Sequence, residues 1–295
     1  MAKKATAPKS AKVKETAVEE TVETVAPEVV ETVDVAEAPK AQKSEAKETS
    51  PVEKKEMTAA MAVNADGELD LKVLLEAGVH FGHQAQRWNP KMNPYIYAAR
   101  EGVHIFDLVK TGQKLKEAMD FARNLGKQGK TLVFVGTKRQ AQEIVKSAAE
   151  QSGAMYIMNR WLGGLLTNWE QVSKSIRRMN KINTGLGKGE FDHYTKYEKV
   201  QLQKDADRLA RFFAGISELN QMPDALFLID VSEEKVAVKE AKLMGIPMIA
   251  IVDTNGNPDG IEYVIPGNDD AVSSITILTG LIAQAYAEGR QARSK

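Results

Sequence analysis

His80 and His83 stand three residues apart within "VHFGHQAQRWNPKMNPYIY" (79–97), with His104 shortly after, so a metal centre is the first chemistry these residue types suggest. The spacing argues against it. Paired zinc histidines on a helix usually sit at i and i+4, whereas Gly82 here separates positions i and i+3. No cysteine and no nearby acidic run completes a ligand shell, so no metal is expected. Such histidines hydrogen-bond backbone or lie against a planar partner. The same stretch adds Arg87, Trp88, Lys91, Asn93 and Tyr95, Arg100 lies just beyond it, and Arg160 and Trp161 repeat the pairing of a cation with an aromatic ring. Arg and Lys neutralise phosphates, Asn supplies hydrogen bonds, and Trp, Tyr and His offer faces on which unpaired bases stack. A polyanion carrying exposed bases, RNA above all, is the ligand class this mixture suits. The competing expectation is structural: a cationic helix face is commonly just solvated, and Trp161 and Trp169 suit a core as well as a contact.

Two other chemistries fare worse. "VGTKR" (135–139) reads as a strand ending in glycine at a helix start, where free amides and a positive dipole end favour an anion beside Lys138 and Arg139. Yet neither GxGxxG nor GxxxxGK[ST] occurs, and "GLGKGE" lacks the Ser or Thr and does not follow a strand. No cofactor is expected; the anion suits one phosphate of a nucleic-acid backbone. Asp230, Asp253, Asp269 and Asp270 fall at strand ends or a helix start, where an α/β enzyme keeps working carboxylates, but each also serves as a turn or helix cap. Nothing supplies a partnered base and nucleophile, so no catalytic residue is assigned.

The elements that must position these residues are legible from hydrophobic period. "LDLKVLLEAG" predicts a short helix capped by Asp70, with Leu71, Leu74 and Leu75 on one face and Gly78 at its end. "YIYAAREGVHIFDL" predicts two strands about a turn at Glu101 and Gly102. Leu115, Ala118, Met119, Ala122 and Leu125 form the stripe of a helix lying on a sheet. The apolar runs "TLVFV", "ALFLIDV" and "IPMIAIVDT", separated by amphipathic helices, have no polar alternation. That pattern predicts a doubly wound α/β fold with a parallel sheet covered on both faces. Between its halves, Trp169, Val172, Ile176, Met179 and Ile182 mark one long helix, and Leu202, Leu209, Phe212, Phe213 and Ile216 another, opened by a capping box of Thr195 and Glu198. Two long helices about a glycine-bearing loop predict an antiparallel hairpin, whose first helix presents Lys174, Arg177 and Arg178.

Composition divides the chain. Residues 1–68 hold 10 Lys, no Arg and 14 Asp and Glu, with no aromatic residue, Leu or Ile. Such a segment cannot bury enough apolar surface to offset its chain entropy, and a disordered acidic tail is expected. The remainder carries 30 Lys and Arg against 26 Asp and Glu, a basic excess hidden by the zero net charge of all 295 residues. The domain expectation is therefore a tail at 1–68, an α/β domain from 69–166 and 223–295, and an inserted hairpin at 167–222. No apolar run reaches membrane-spanning length and no secretory leader is evident, so a cytoplasmic location is expected.

Eight strings in register, "AGVHFGHQ", "WNPKMNPYIY", "VHIFDL", "FVGTKRQA", "NRWLGGLLTNW", "PDALFLID", "KEAKLMGIPMIAIVDTN" and "IEYVIPGNDDA", resemble the bacterial small-subunit ribosomal protein number two family. The resemblance spans Leu69 to about Arg290, and the long acidic extension departs from it. It implies a Rossmann-like or flavodoxin-like sheet with a coiled-coil hairpin, and a non-enzymatic, ribosome-bound protein without homo-oligomers. The implied partners are small-subunit ribosomal RNA and neighbouring small-subunit proteins, including the mRNA-binding protein number one. The RNA-facing strings implied are His80 to Gln84, Arg87 to Tyr97, Gly136 to Arg139 and Arg160 to Gly164. Two rival classes stay open: a nucleotide-binding enzyme, and a docking scaffold held by protein contacts alone.

Overall fold

A computed structural model describes residues 69–293; the expected tail at 1–68 lies outside the described residues. Helix α1 (Leu71–Glu76) is capped by Asp70, whose carboxylate accepts the Lys72 N–H at 2.9 Å. Only Leu74 of its predicted leucine face is buried; a helix of six residues offers one residue to the core and leaves Leu71 and Leu75 outside. Strands β1 (Phe81–Gln84), β2 (Ile96–Arg100) and β3 (Val103–Phe106) form an antiparallel sheet in the order β1-β3-β2. The β2–β3 hairpin is the predicted one. Arg100 pairs with Val103, and both Glu101 (φ 50°) and Gly102 (φ 77°) are left-handed, as a two-residue type I′ turn requires. Strand β1 carries no alternating pattern, and its bulged register, Phe81 on Ile105 and Gln84 on Val103, explains why periodicity missed it.

Helix α2 (Leu108–Gln128) begins at the Asp107 cap and ends at left-handed Gly129. Strand β4 (Leu132–Val135) is followed by α3 (Gln142–Ser152), β5 (Met155–Ile157), α4 (Trp169–Lys188) and α5 (Lys196–Phe213). Strand β6 (Ala225–Ile229), α6 (Lys235–Met244), β7 (Met248–Val252), β8 (Tyr263–Pro266) and α7 (Val272–Arg293) complete the chain. All strands from β4 onward pair in parallel in the order β5-β4-β6-β7-β8. Counted from β4 this is 2-1-3-4-5, the flavodoxin-like winding. The expected α/β class is found. One detail differs: α3 starts at Gln142 instead of directly after Gly136, so no helix N-terminus opens beside Gly136.

Alternate residues of each central strand feed two apolar layers. Leu132, Phe134, Phe227, Ile249 and Ile265 pack with α2, α3 and α7, whereas Val133, Val135, Leu226, Met248 and Val264 pack with α4, α6 and Phe213. Burial on both faces is why these runs lack polar alternation. Truncating Phe134 or Phe227, both fully buried, to Ala would cost about 3 to 5 kcal/mol.

Helices α4 and α5 fold back on each other. Ile176, Met179 and Ile182 bury one face of α4, and the predicted capping box of Thr195 and Glu198 opens α5. Helix α4 continues through "GLGK" to a left-handed Gly189, because Gly185 leaves room for the Phe191 ring: a Cβ there would approach it to 2.4 Å. Among the described residues no helix is long and apolar enough to cross a membrane.

Candidate functional site

In a 2-1-3-4-5 sheet, successive connections leave β4 and β6 in opposite directions and open a crevice at the strands' carboxyl ends, the usual ligand position. Here the protein fills that crevice with its own charges. Lys138, one turn past β4, places its ammonium 2.8 Å from Asp269, 2.7 Å from Asp270 and 3.2 Å from Asp230. Asp230 follows β6 in a left-handed conformation (φ 64°) and accepts N–H bonds from Ser232 and Glu233. Aspartate tolerates that region better than most residues because its short side chain satisfies nearby amides.

His83 reaches the same cluster from β1. Its Nδ1 lies 3.0 Å from the Asp253 carboxylate and its Nε2 lies 3.3 Å from Asp270. The neighbouring Asp253 carboxylate lifts the His83 pKa to about 9 against the opposing effect of burial, aided by the charges of Asp269 and Asp270. At neutral pH the imidazole is a cation. Burial, joined by repulsion from Asp230 and Asp253, pushes Asp269 up to about 7 despite Lys138. Burial opposes the charge on Lys138, but Asp269 and Asp270 outweigh it and raise its pKa.

The four aspartates that read as separate caps thus converge. Asp269 accepts no backbone N–H of α7: Asn268 accepts those of Asp270 and Ala271 in the turn before the helix, and the Asp269 carboxylate faces Lys138 instead. One atom each from His83, Asp253 and Asp269 lies within 4.8 Å of the others; Asp253 Oδ2 is the oxygen that His83 Nδ1 faces, and one buried oxygen of Asp269 lacks a hydrogen-bond partner. A cation could replace the histidine proton there, with neutral His83 and two carboxylates as ligands. His80 and His104, the other members of the trio weighed for metal, take no part in it: His104 packs on Trp88 at 5.2 Å, and burial lowers the His80 pKa.

Trp161 is not a stacking surface. Its side chain is buried, and its indole N–H donates to Glu240 at 3.2 Å. Glu240, also buried, accepts N–H bonds from Gly164 (2.7 Å), Leu166 (3.0 Å) and Thr167 (3.2 Å), so one carboxylate from α6 holds the whole "RWLGGLLT" turn. Burial would raise its pKa, but these donors outweigh it and hold it below the usual glutamate value. Sequence inspection passed over Glu240, although an acid at i+3 from Ala237 and next to Ala241 on a buried helical stripe is a readable anomaly.

The remaining predicted contacts are at the surface. Arg87, Lys91, Asn93, Arg100, Arg139, Arg160, Lys174, Arg177 and Arg178 are exposed, and Trp88 and Tyr95 are half-buried. Some of these cations already have partners: Lys91 pairs with Asp259, Lys174 with Glu170 and Arg178 with Asp205. Among the described residues no carboxylate forms an ion pair with Arg87, Arg100, Arg139 or Arg160. Arg139 and Arg160 follow the carboxyl ends of the adjacent strands β4 and β5. The antiparallel sheet docks at that same end of the molecule, where the Asn89 N–H donates to the Thr254 carbonyl beyond β7.

The family model for ribosomal protein S2 matches residues 74–289. A protein of Geotalea uraniireducens described as small ribosomal subunit protein uS2 is 50% identical over 226 residues, covering 77% of this chain and 88% of its own. A protein of Bdellovibrio bacteriovorus with the same description is 49% identical over 222 residues, covering 75% of this chain and 71% of its own. On this match the chain belongs to the ribosomal protein S2 family.

Proposed function

We propose that the protein is a structural, non-enzymatic constituent of the small ribosomal subunit that binds small-subunit ribosomal RNA and helps dock the mRNA-binding protein number one. The observation that supports RNA binding most directly is the set of exposed guanidinium groups, Arg87, Arg100, Arg139 and Arg160, without a carboxylate partner among the described residues. Guanidinium groups not neutralised within the fold are free for phosphate. Lys138, by contrast, is committed to three carboxylates, so the phosphate contact of "GTKR" falls to Arg139. Trp88 and Tyr95, with His80, whose pKa burial lowers, supply planar and hydrogen-bonding groups beside these cations.

Docking of a protein partner draws on a different surface. On the antiparallel sheet Phe81 is 50% and Tyr97 73% exposed, an aromatic presentation that water does not favour and a protein interface does. Residues 69–166 and 223–295 act as the α/β body, and 167–222 as an inserted coiled-coil arm with Lys174 and Arg177 outward. The protein works in the cytoplasm on the ribosome, as a single copy and without a cofactor.

Sedimentation of the tagged protein from a lysate through a sucrose gradient, at low and raised salt, tests this proposal. Co-migration with the small subunit, weakened by salt, is the expected result. A protein that stays at the top of the gradient and binds a nucleotide saturably would overturn it.

A further inference from the structure

Helix α6 buries Ala237, Val238, Glu240 and Ala241 and turns the rest of its surface outward. Val236 is 50%, Leu243 78% and Met244 38% exposed, three large apolar side chains on one short helix. Lys235, Lys239 and Lys242 are exposed beside them. At about 3.6 residues per turn, Lys235, Lys239 and Lys242 form one row and Val236 and Leu243 the next, both running for about 11 Å. Ordered backbone borders the face: Lys242 donates to the Asp259 carbonyl, and Glu240 holds the turn at 164–167. Among the described residues no carboxylate forms an ion pair with Lys235, Lys239 or Lys242. Lys235 also stands at the first position of the helix, where the positive dipole end disfavours a cation. Glu234 before it is buried and accepts the Thr137 N–H instead. Such a local preference is overridden where a residue serves a contact beyond its own element.

We propose that this face docks an acidic amphipathic helix of a neighbouring protein in the small subunit, its apolar side chains against Val236 and Leu243 and its carboxylates against the lysine row. The inference rests on the ribosomal reading above. Charge complementarity selects the occupant, since cations without a carboxylate of their own call for an anionic partner. RNA is anionic too, but its recognition draws on Arg, amides and aromatic rings, and the outward face of α6 offers none. Phosphate and sugar gain nothing from Val236 and Leu243, whereas an apolar helix face removes both from water. A second copy of this chain would bring the same three lysines onto one another. A ten-residue helix presents far less than the roughly 1,000 Å² of a stable free complex. The contact therefore forms once both proteins are held on the same RNA, where effective concentration replaces affinity.

The chain has no cysteine, so Leu243→Cys in the tagged full-length protein carries its only thiol. Labelling by fluorescein maleimide is followed on the tagged band, in the free protein and in small subunits collected from a sucrose gradient. Met244→Cys, which leaves both apolar anchors in place, repeats the measurement. Labelling should be about tenfold slower in subunits, because a thiol under a packed helix reacts only when the contact opens. Lys235→Glu with Lys239→Glu should return it to the free rate while the subunit retains the protein. A benzophenone attached to the same thiol should, on irradiation, join the chain to a protein segment with acidic residues beside an apolar helical stripe. Reversing those acids to Lys should restore protection to the doubly substituted chain. Equal labelling rates in free and assembled protein at both positions would overturn the proposal, as would an adduct that ribonuclease digests, which assigns the face to RNA. A chain that stays at the top of the gradient would overturn the ribosomal reading and this docking site with it.

Discussion

His83 Nδ1 stands 3.0 Å from the carboxylate of Asp253, joining a strand of the antiparallel sheet to the end of β7 in the parallel one. The neighbouring backbone makes the same junction: the His83 N–H donates to Thr254 Oγ1 at 2.9 Å, and the Asn89 N–H to the Thr254 carbonyl at 2.7 Å. The segment carrying Arg87, Trp88 and Lys91 is therefore held against the α/β body by these polar contacts together with Met92, which is buried in the same apolar layer as Val133, Val252 and Val264.

Replacing His83 with Ala leaves Asp253, 1% exposed, without its cationic neighbour. A buried carboxylate stripped of its partner costs about 2 to 3 kcal/mol. Urea unfolding should register that loss, and hydrogen exchange should rise at 81–89 ahead of β6 and β7. An effect spread evenly over the chain would contradict the latch.

Gly82 is required by close approach. A Cβ at this position would stand 2.6 Å from Thr254 Cγ2 and 3.1 Å from the His104 carbonyl. Gly82→Ala should cost about 1 to 3 kcal/mol through overpacking. Thr254→Ser removes that methyl group while keeping the hydroxyl that serves His83, so the double variant should regain part of the loss. Gly102→Ala meets open space at a φ of +77° and should cost only the backbone strain, about 1 kcal/mol. Thermal midpoints of the four proteins test the ordering.

Glu240 gives a pH dependence of defined sign. Its folded pKa lies below the ordinary 4.5, so it contributes stability above pH 4.5 that is lost as pH falls through the folded value. Glu240→Gln should flatten that acid limb in denaturation curves taken between neutral and acidic pH. Glu240→Ala should cost about 3 kcal/mol at neutral pH, because the donors of Trp161, Gly164, Leu166 and Thr167 lose their acceptor. Unchanged stability in the Ala variant would mean that water replaces the carboxylate.

Arg139 and Lys138 are neighbours in sequence with opposite expected phenotypes. Arg139→Ala, like Arg87→Ala, should leave folding stability within about 0.5 kcal/mol and reduce the slope of log K against log salt for subunit binding by about 1. Lys138→Ala should instead lower folding stability by about 3 kcal/mol, because Asp230 and Asp269 stay buried without it. Paired denaturation and salt-titration experiments separate the two.

Local rules read well where the chain consults only its neighbours. The capping box of Thr195 and Glu198, the turn at Glu101 and Gly102, and the strands at 132–135, 225–229 and 248–252 all follow from residues within one element. Strands β1 and β8 were not legible from period, since one is bulged and the other is short and follows a loop of Gly, Asn and Pro.

The sequence by itself determined the fold class, because continuous apolar runs between amphipathic helices are stable only as a sheet covered on both faces. It also determined which cations belong to the aromatic-rich stretch. The tertiary structure decided which of them are already neutralised. Lys138 meets Asp230 and Asp269, and Trp161 meets Glu240, across separations of 79 to 131 residues. Whether a charge faces water or a carboxylate depends on which strand ends lie side by side. That order, β5-β4-β6-β7-β8, arises from packing whole layers together and is written in no single segment.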